Sequence, residues 1–250
     1  MLQHHFSLRK AIRSSLFAKS LRLRNRRPLA SFTFDDFPHS AAINGANILE
    51  ERDARGTFYL AGSYCEKIVD GVEQYSIADV TRLAGVGHEI GCHTFHHCRA
   101  SKMSPSTVIE EVRLNAAFVA EHLPKVAMRT FAYPFGDVSF RATQQLQKMF
   151  DTCRGIELGV NQQTADLGRL RAVRLYSPTT NVESIRDIVR KAAEPGSWLI
   201  FYTHDVEDSP SKFGCQPSLL EASVRAVLAA GFEILPISDA LDRLNFRPQK

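Results

Sequence analysis

Two short segments of this chain contain the residue types of a hydrolytic metal site. In SFTFDDFPHS, residues 31–40, the adjacent aspartates Asp35 and Asp36 interrupt an apolar run typical of a buried strand. In HEIGCHTFHH, residues 88–97, His93 and His97 are four residues apart and can reach one ion from a helical turn or a tight loop. Each segment alone has an ordinary explanation, because aspartates favour turns and caps. Their combination points to metal chemistry.

The two segments together supply two imidazoles and two carboxylates. Two imidazoles and one carboxylate leave an open coordination position for water, which is the pattern of a hydrolytic rather than a structural zinc site. The other carboxylate is then free to accept the proton of the attacking water. Adjacent residues of an extended strand point to opposite faces, so the backbone must twist at Asp35 and Asp36 for both to reach one site. The Phe37-Pro38 step favours a turn there.

Short β-type runs alternate with helical stretches from residue 29 onward. The predicted strands are 29–34, 56–60, 88–92, 130–133, 151–154, 173–176, 198–203 and 232–236. The predicted helices are 41–53, 77–84, 106–122, 140–149, 182–193 and 217–230. This order implies parallel pairing, and it predicts an α/β fold in which about seven to eight parallel strands form a closed or nearly closed, distorted β/α barrel. A doubly wound open sheet is the alternative.

Barrels of this kind carry their reactive groups just after the carboxyl ends of the strands. Polar or aromatic residues follow four of the predicted strands at this point. They are Asp35 and Asp36 after the first, His93, His96 and His97 after the third, Tyr133 and Phe135 after the fourth, and His204 and Asp205 after the seventh.

The composition is that of one ordinary globular domain. The chain has 250 residues, of which 44% are hydrophobic and 23% charged, and it contains no apolar run of the length that spans a bilayer. The five cysteines are odd in number and scattered, and no secretory signal precedes them, which favours free thiols in a reducing compartment.

Positive charge is concentrated at the start of the chain. Residues 1–27 hold eight basic side chains and no acidic one, whereas the remainder holds 23 basic and 27 acidic side chains. We therefore predict a basic extension at 1–28 and a catalytic domain at 29–250. An amphipathic segment resting on anionic lipid fits this extension, although a nucleic-acid contact, a transit peptide or an unstructured tail has the same composition. We expect a cytoplasmic protein, peripheral at the inner membrane face, with no nucleic-acid partner.

Four motifs in this order resemble those of the polysaccharide deacetylases of carbohydrate esterase family 4, which contain the NodB homology domain. TFDD at 33–36 matches the first motif of that family, and HTFHH at 93–97 matches its H-[ST]-x-x-H motif. FAYPFG at 131–136 lies where the family has F-R-P-P-Y-G, and IFYTHD at 200–205 resembles the last motif. The resemblance covers about residues 29–240.

The resemblance implies a role for each motif residue. Asp35 is the expected catalytic base, and the expected ligands of a divalent cation, most simply Zn²⁺, are Asp36, His93 and His97. Thr94 is expected to brace the loop between the histidines. The backbone N–H of Phe135 is the expected oxyanion donor, and His204 is the expected general acid.

The resemblance also implies substrate contacts, and the chain departs from the family pattern at two points. Tyr202 replaces a leucine that commonly lines the acetyl pocket, and Tyr133 precedes the oxyanion residue, so both are predicted to contact substrate. Ala132 stands where many members have an arginine that orients the base, so another group, such as Arg129 or Arg174, takes that task or the base is tuned differently. No fourth motif, which usually supplies the acidic partner of the histidine acid, is visible between residues 151 and 176, and Asp166 or a residue elsewhere is left open for that role.

The function implied is hydrolysis of a linear amide C–N bond, namely removal of N-acetyl groups from amino sugars of a polysaccharide or its precursor. Two alternatives remain open on the sequence. One is an amidohydrolase that acts on a non-sugar amide. The other is an inactive homologue that binds a glycan.

Overall fold

The structure is a computed structural model and describes residues 18–246. Its centre is an eleven-stranded sheet, and a separate two-stranded hairpin, β4 and β5, lies apart from it. The strands are β1 (Ser20–Arg22), β2 (Leu29–Asp35), β3 (Thr57–Leu60), β4 (Ile68–Val69), β5 (Val72–Glu73), β6 (Glu89–Cys92), β7 (Thr130–Ala132), β8 (Thr152–Arg154), β9 (Asn161–Gln162), β10 (Thr164–Asp166), β11 (Val173–Arg174), β12 (Ser197–Thr203) and β13 (Glu233–Ile234).

Seven helices follow or separate these strands. They are α1 (Ala46–Glu50), which continues a π-helical turn (Ala41–Gly45), α2 (Ile77–Gly85), α3 (Pro105–His122), α4 (Phe140–Met149), α5 (Val182–Ala192), α6 (Pro217–Ala229) and α7 (Ile237–Arg243). Local chemistry starts several of them. Ser104 caps α3 by accepting a hydrogen bond from the Thr107 N–H, with Pro105 in the first turn.

The sheet is a curled, mostly parallel barrel, as predicted. The order along it is β1-β10-β9-β12-β2-β3-β6-β7-β8, with β11 on β12 and β13 on β2. All pairs among β2, β3, β6, β7, β8, β11, β12 and β13 are parallel. These eight strands overlap the eight predicted segments, and β2 and β12 are buried along their whole length, as is typical of parallel strands covered on both faces.

The barrel is distorted because each of its two central strands, β2 and β12, pairs with different strands along its length. The first residues of β2 pair with β13 and its last residues with β3, whereas β12 pairs first with β9 and then with β11. The segment 167–170 joins the free edge of β8 to the other end of the sheet. The Cys153 N–H donates to the Leu167 carbonyl, and the Leu167 N–H donates to the Lys19 carbonyl.

Several short elements were not predicted. The strands β1, β4, β5, β9 and β10 are two or three residues long, and α7 follows the last parallel strand. Such strands have no apolar alternation of their own and exist because a neighbouring strand pairs with them. All five cysteines are free thiols. None of the helices within residues 18–246 is long and apolar enough to cross a bilayer.

Part of the predicted extension belongs to the folded domain. Strand β1 pairs antiparallel with β10, and Leu23 is buried in the core. The ammonium group of Lys19 donates to the carbonyls of Phe150 and Asp151 at 3.1 and 3.0 Å. The sheet therefore starts earlier than the boundary at residue 29 that we predicted. Residues 1–17 of the predicted extension lie outside the described part of the chain.

Candidate functional site

The adjacent aspartates stand at the carboxyl end of β2, where the backbone turns sharply. Asp35 is the last residue of the strand, and Asp36 and Phe37 have φ angles of 56° and 30°. Non-glycine residues rarely adopt this left-handed region, and when they do the strain commonly marks a functional site. The turn removes the alternation of an extended strand. It accounts for how two consecutive carboxylates face one site.

The two histidines follow β6, the second neighbour of β2 in the sheet. Thr94 and His97 also have positive φ angles, of 60° and 52°, and the Thr94 hydroxyl accepts a hydrogen bond of 3.0 Å from the Cys98 N–H. This contact closes the loop, so Thr94 braces it as expected. The rings of His93 and His97 are 5.1 Å apart between centroids.

Asp36, His93 and His97 form one potential ligand set. Their nearest ligand atoms all lie within 4.8 Å of one another, and Asp36 Oδ1 is 3.7 Å from His93 Nε2 and 3.4 Å from His97 Nε2. His93 Nδ1 donates to the Ala132 carbonyl at 2.8 Å, and His97 Nδ1 is 3.0 Å from the Tyr64 hydroxyl. These partners orient both Nε2 atoms towards Asp36, as outer partners orient metal-binding histidines.

The chemistry of this set fits a divalent cation. Asp36 Oδ1 is buried and has no hydrogen-bond partner among the described residues. Burial and the adjacent Asp35 charge raise the pKa of Asp36 well above its ordinary value. Burial lowers the pKa of His93 to about 4, and burial together with the neighbouring imidazoles lowers that of His97 to about 2. The imidazoles are therefore neutral donors, and a cation would stabilise the ionised carboxylate.

The other aspartate is held differently. Asp35 is 4% exposed and forms a buried ion pair with Arg154, which is wholly inaccessible to solvent. Burial alone would raise the pKa of Asp35, but the charge and the hydrogen bond of Arg154 outweigh it and lower the pKa. Asp35 is consequently ionised and fixed in orientation, whereas Asp36 faces the histidines. The two carboxylates have different environments and can perform different tasks.

His204 and Phe135 complete the site. His204 follows β12, and its Nε2 lies 4.0 Å from Asp36 Oδ2. Burial lowers its pKa, with the Asp35 charge acting in the opposite direction. Phe135 has a φ angle of 59°, and its ring is half exposed and packs 4.3 Å from the His97 ring. The structure thus brings both of these predicted residues beside the ligand set.

A match to a family model decides to which protein family the chain belongs. The model described as polysaccharide deacetylase matches residues 23–150, which include both aspartates, both histidines and Phe135. This is half of the chain. The chain belongs to the polysaccharide deacetylase family.

Two curated relatives of this chain match over shorter regions. A bifunctional xylanase/deacetylase from Pseudobutyrivibrio xylanivorans is 25% identical over 122 residues, which are 49% of this chain and 19% of that protein. A chitin deacetylase from Colletotrichum lindemuthianum is 29% identical over 85 residues, which are 34% of this chain and 33% of that protein. The matched regions therefore span a third or less of the length of these relatives.

Solved structures of similar fold match the chain more completely. The structure of the Colletotrichum lindemuthianum chitin deacetylase has a TM-score of 0.64 at 15% identity and covers 91% of this chain and 92% of its own. A family 4 acetyl xylan esterase from Clostridium thermocellum with a cobalt ion has 0.60 at 18%, covering 86% and 90%. A family 4 pseudoenzyme from Bacillus anthracis has 0.62 at 13%, covering 89% and 68%. At these identities, the likeness shows the fold.

The arginine that pairs with Asp35 was not found from the sequence. Neither Arg129 nor Arg174 does the task we gave them, because Arg129 pairs with Asp151 and Asp242 away from the site, and Arg174 is an exposed residue of β11. Arg154 ends β8, and its guanidinium lies 5.3 and 5.0 Å from the rings of Tyr59 and Tyr202. Its signal in the sequence is its place at the end of a strand.

Three other residues that we predicted at the site do not face the metal-ligand set. Tyr133 is 1% exposed, and its hydroxyl contacts Thr143 and the Gly168 carbonyl in the core, so its side chain does not face the substrate. Tyr202 is 5% exposed and lies under the Arg154 guanidinium. Asp166 belongs to β10, where it pairs with Ser20, and it is no partner of His204.

Replacing the buried arginine is expected to impair catalysis without removing the metal. Arg154→Lys keeps a positive charge but loses the planar group that pairs with Asp35 between two aromatic rings. A misplaced base lowers turnover by about 100-fold. Acetate release and metal content of the purified variant check this. The matched control is Arg129→Lys, which should retain normal turnover, and loss of metal in Arg154→Lys would contradict the assignment.

Proposed function

We propose that this chain is a metal-dependent deacetylase that hydrolyses the N-acetyl groups of amino sugars in a polysaccharide or its precursor. One observation carries the proposal. A set of two neutral imidazoles and one carboxylate lies beside a second, ionised carboxylate that Arg154 holds in place. Three protein ligands with an open position are typical of catalytic rather than structural zinc.

The residues divide the reaction among them. Asp36, His93 and His97 would hold a divalent cation, which would supply a Lewis acid for the amide carbonyl and the attacking water. Asp35 accepts a proton from that water as the new C–O bond forms. The Phe135 N–H donates to the oxyanion of the tetrahedral intermediate.

The C–N bond then breaks with proton donation from His204. In its imidazolium form, His204 donates this proton to the leaving nitrogen, which departs as the amine. The proton held by Asp35 afterwards returns to His204 through solvent. Overall, one water molecule is consumed, and acetate and an amino sugar are produced.

The direct test is acetate release. The zinc-loaded protein is incubated with N-acetylglucosamine oligomers, with and without a chelator, and acetate is measured. Release that the chelator abolishes and zinc restores supports the proposal. Release only from non-sugar amides would instead support a different amidohydrolase, and binding of the oligomers without release at any metal would support an inactive glycan-binding homologue.

Removing the general acid is expected to slow turnover but leave the metal bound. His204→Ala should reduce kcat by about 100- to 1,000-fold, because the amine leaves poorly without a proton donor. Zinc content after dialysis, measured by elemental analysis, should equal that of the unaltered protein and of the control His122→Ala on the exposed end of α3. Zinc loss in His204→Ala alone would make His204 a metal ligand.

The proposal includes a cytoplasmic location, with peripheral attachment to the anionic inner face of the membrane. In the described chain, Lys19 is engaged with main-chain carbonyls, but four exposed arginines lie at the end of β1 and in the loop before β2, at the opposite end of β2 from the site. Each contributes about 1 kcal/mol near an anionic surface. These four are Arg22, Arg24, Arg26 and Arg27.

Liposome co-sedimentation tests this attachment. Replacing the four arginines by glutamine and deleting residues 1–17 should together abolish salt-sensitive pelleting with anionic vesicles. Acetate release from soluble oligomers should be unchanged, because the site is at the other end of the barrel. Equal pelleting of the altered and unaltered proteins would refute a membrane role of this segment.

A further inference from the structure

An exposed phenylalanine stands beside the general acid. Phe213 is 46% exposed, and its ring centroid lies 5.6 Å from that of His204 and 5.8 Å from that of Tyr176. Tyr176 in turn packs 5.9 Å from His204 and 5.4 Å from Tyr202. We call Tyr176, Tyr202 and Phe213 the aromatic wall. Of its members, Phe213 presents the most surface to solvent.

The turn that carries Phe213 is built on a buried carboxylate. Asp205 is 1% exposed, and it accepts hydrogen bonds from the Ser211 N–H at 2.5 Å and the Ser211 hydroxyl at 2.6 Å. The Phe213 N–H donates to the Ser211 hydroxyl oxygen at 3.2 Å, and the Phe213 carbonyl accepts from the His204 N–H at 3.3 Å. These bonds fix Phe213 relative to His204.

Close packing also restricts which residue can occupy position 214 of this turn. A Cβ atom at Gly214 would lie 2.4 Å from the Asp205 carboxyl group, so only glycine fits there. The reaction proposed above gives Asp205 no task. A buried carboxylate, a fixed turn and a glycine therefore hold in place an apolar ring that is 46% exposed, although the exposed part of the ring gains nothing from folding.

The other exposed ring at the site is less available. Phe135 packs against His97, and the guanidinium of Arg99 lies 3.9 Å from its ring centroid. Phe213 has a cation nearby as well, but the Lys212 ammonium, at 4.9 Å from the ring centroid, is farther away than Arg99 is from Phe135. A ligand can displace that side chain at small cost. Phe213 is therefore the better surface for a ligand that reaches the site.

We propose that Phe213 is the platform on which a second sugar ring of the substrate packs, next to the sugar that is deacetylated. This inference rests on the proposed function. The apolar C–H face of a pyranose matches an aromatic face, and the adjacency of Phe213 to His204 places that contact on the leaving-group side of the reaction. Asp205 is a positioning residue, because it acts through the turn. The substrate class is thus an oligosaccharide or polysaccharide rather than a single amino sugar.

The test compares substrates of different length. Phe213→Ala should raise KM for the N-acetylglucosamine tetramer about three- to tenfold, the range of one aromatic stacking contact, with kcat within about twofold. The kcat/KM for N-acetylglucosamine itself should not change. Phe213→Trp should restore the tetramer KM. The matched control is Leu228→Ala, which removes another partly exposed apolar side chain on α6 and should leave KM unchanged.

A second variant tests the turn. Ser211→Ala removes the hydroxyl that links Asp205 to Phe213, and it should raise the tetramer KM without changing kcat, whereas Ser211→Thr should restore it. Thermal unfolding confirms that each variant is folded. An unchanged tetramer KM in Phe213→Ala, with normal acetate release, would overturn the platform and leave the proposed function standing. If the unaltered protein neither releases acetate from any oligomer nor binds one, the platform and the proposed function are both overturned.

Discussion

Asp35→Asn is expected to lower kcat by about 1,000-fold while the protein keeps its metal. The amide cannot accept a proton from water, and a positioned general base contributes about 100- to 10,000-fold. Asp35 is ion-paired with Arg154 and is not part of the ligand set, so zinc binding should persist. Acetate release at saturating substrate and elemental analysis after dialysis measure the two quantities.

This variant needs a control for stability. It leaves the Arg154 guanidinium buried without a counter-charge, and removing one partner of such a pair costs about 3 kcal/mol in the free energy of unfolding. In the double variant Asp35→Asn/Arg154→Met, the buried charge is removed as well, so part of the stability should return while turnover stays low. Denaturant unfolding measures this. Recovery of turnover with stability would show that Asp35 has a structural role only.

Asp36→Asn is expected to have the opposite pattern, with loss of the metal itself. Asp36 is the only carboxylate among the three potential ligands, and an amide lacks the negative charge that attracts the cation. We expect zinc affinity to fall by at least about 100-fold. Altering a residue that only hydrogen-bonds to a metal ligand has a smaller effect than altering the ligand itself. A competition titration with a chromophoric zinc chelator measures the affinity.

The comparison with Asp35→Asn makes the test of Asp36 decisive. Both variants replace one oxygen by nitrogen at neighbouring positions, so they differ in role and not in the size of the change. Tight zinc binding in Asp36→Asn, or equal zinc loss in both variants, would refute the division of labour between the two carboxylates. Turnover that returns in Asp36→Asn at high zinc concentration would agree with it.

Backbone strain is concentrated at the site. Of ten non-glycine residues with positive φ in the described chain, five are in or next to its motifs, namely Asp36, Phe37, Thr94, His97 and Phe135. Such conformations cost about 1–3 kcal/mol each and persist where the surrounding structure enforces them. The buried strands β2 and β12 supply that support. The strain orients the two aspartates, the histidine loop and the oxyanion turn.

Much of this architecture could be predicted from the chain alone. The eight parallel strands are apolar runs bounded by turn residues, and their alternation with helices implies one parallel sheet, because a crossover helix returns the chain to the same edge. The carboxyl ends of parallel strands meet at one end of the sheet. For that reason, Asp36, His93, His97 and His204 could be grouped before any distance between them was known.

Tertiary structure decided what short polar segments and single side chains do. Strand β1 and the β9–β10 hairpin form because their main-chain groups find partners far along the chain, and the pairing of Ser20 with Asp166 leaves no trace in local composition. Tyr133 was predicted at the site because it follows a strand, but its side chain turns into the core. Which way a residue points at a strand end depends on the local twist, which the sequence pattern does not reveal.

The sequence by itself determined the chemistry available to this protein, since the proposed metal ligands, base and acid are residue types at characteristic spacings. Only the tertiary structure decided how two neighbouring aspartates differ. Asp35 is low in pKa because Arg154, 119 positions further along the chain, is buried against it, and Asp36 is raised in pKa because burial and Asp35 both oppose its charge. Charge interactions act through space, so they are set by which side chains folding brings together.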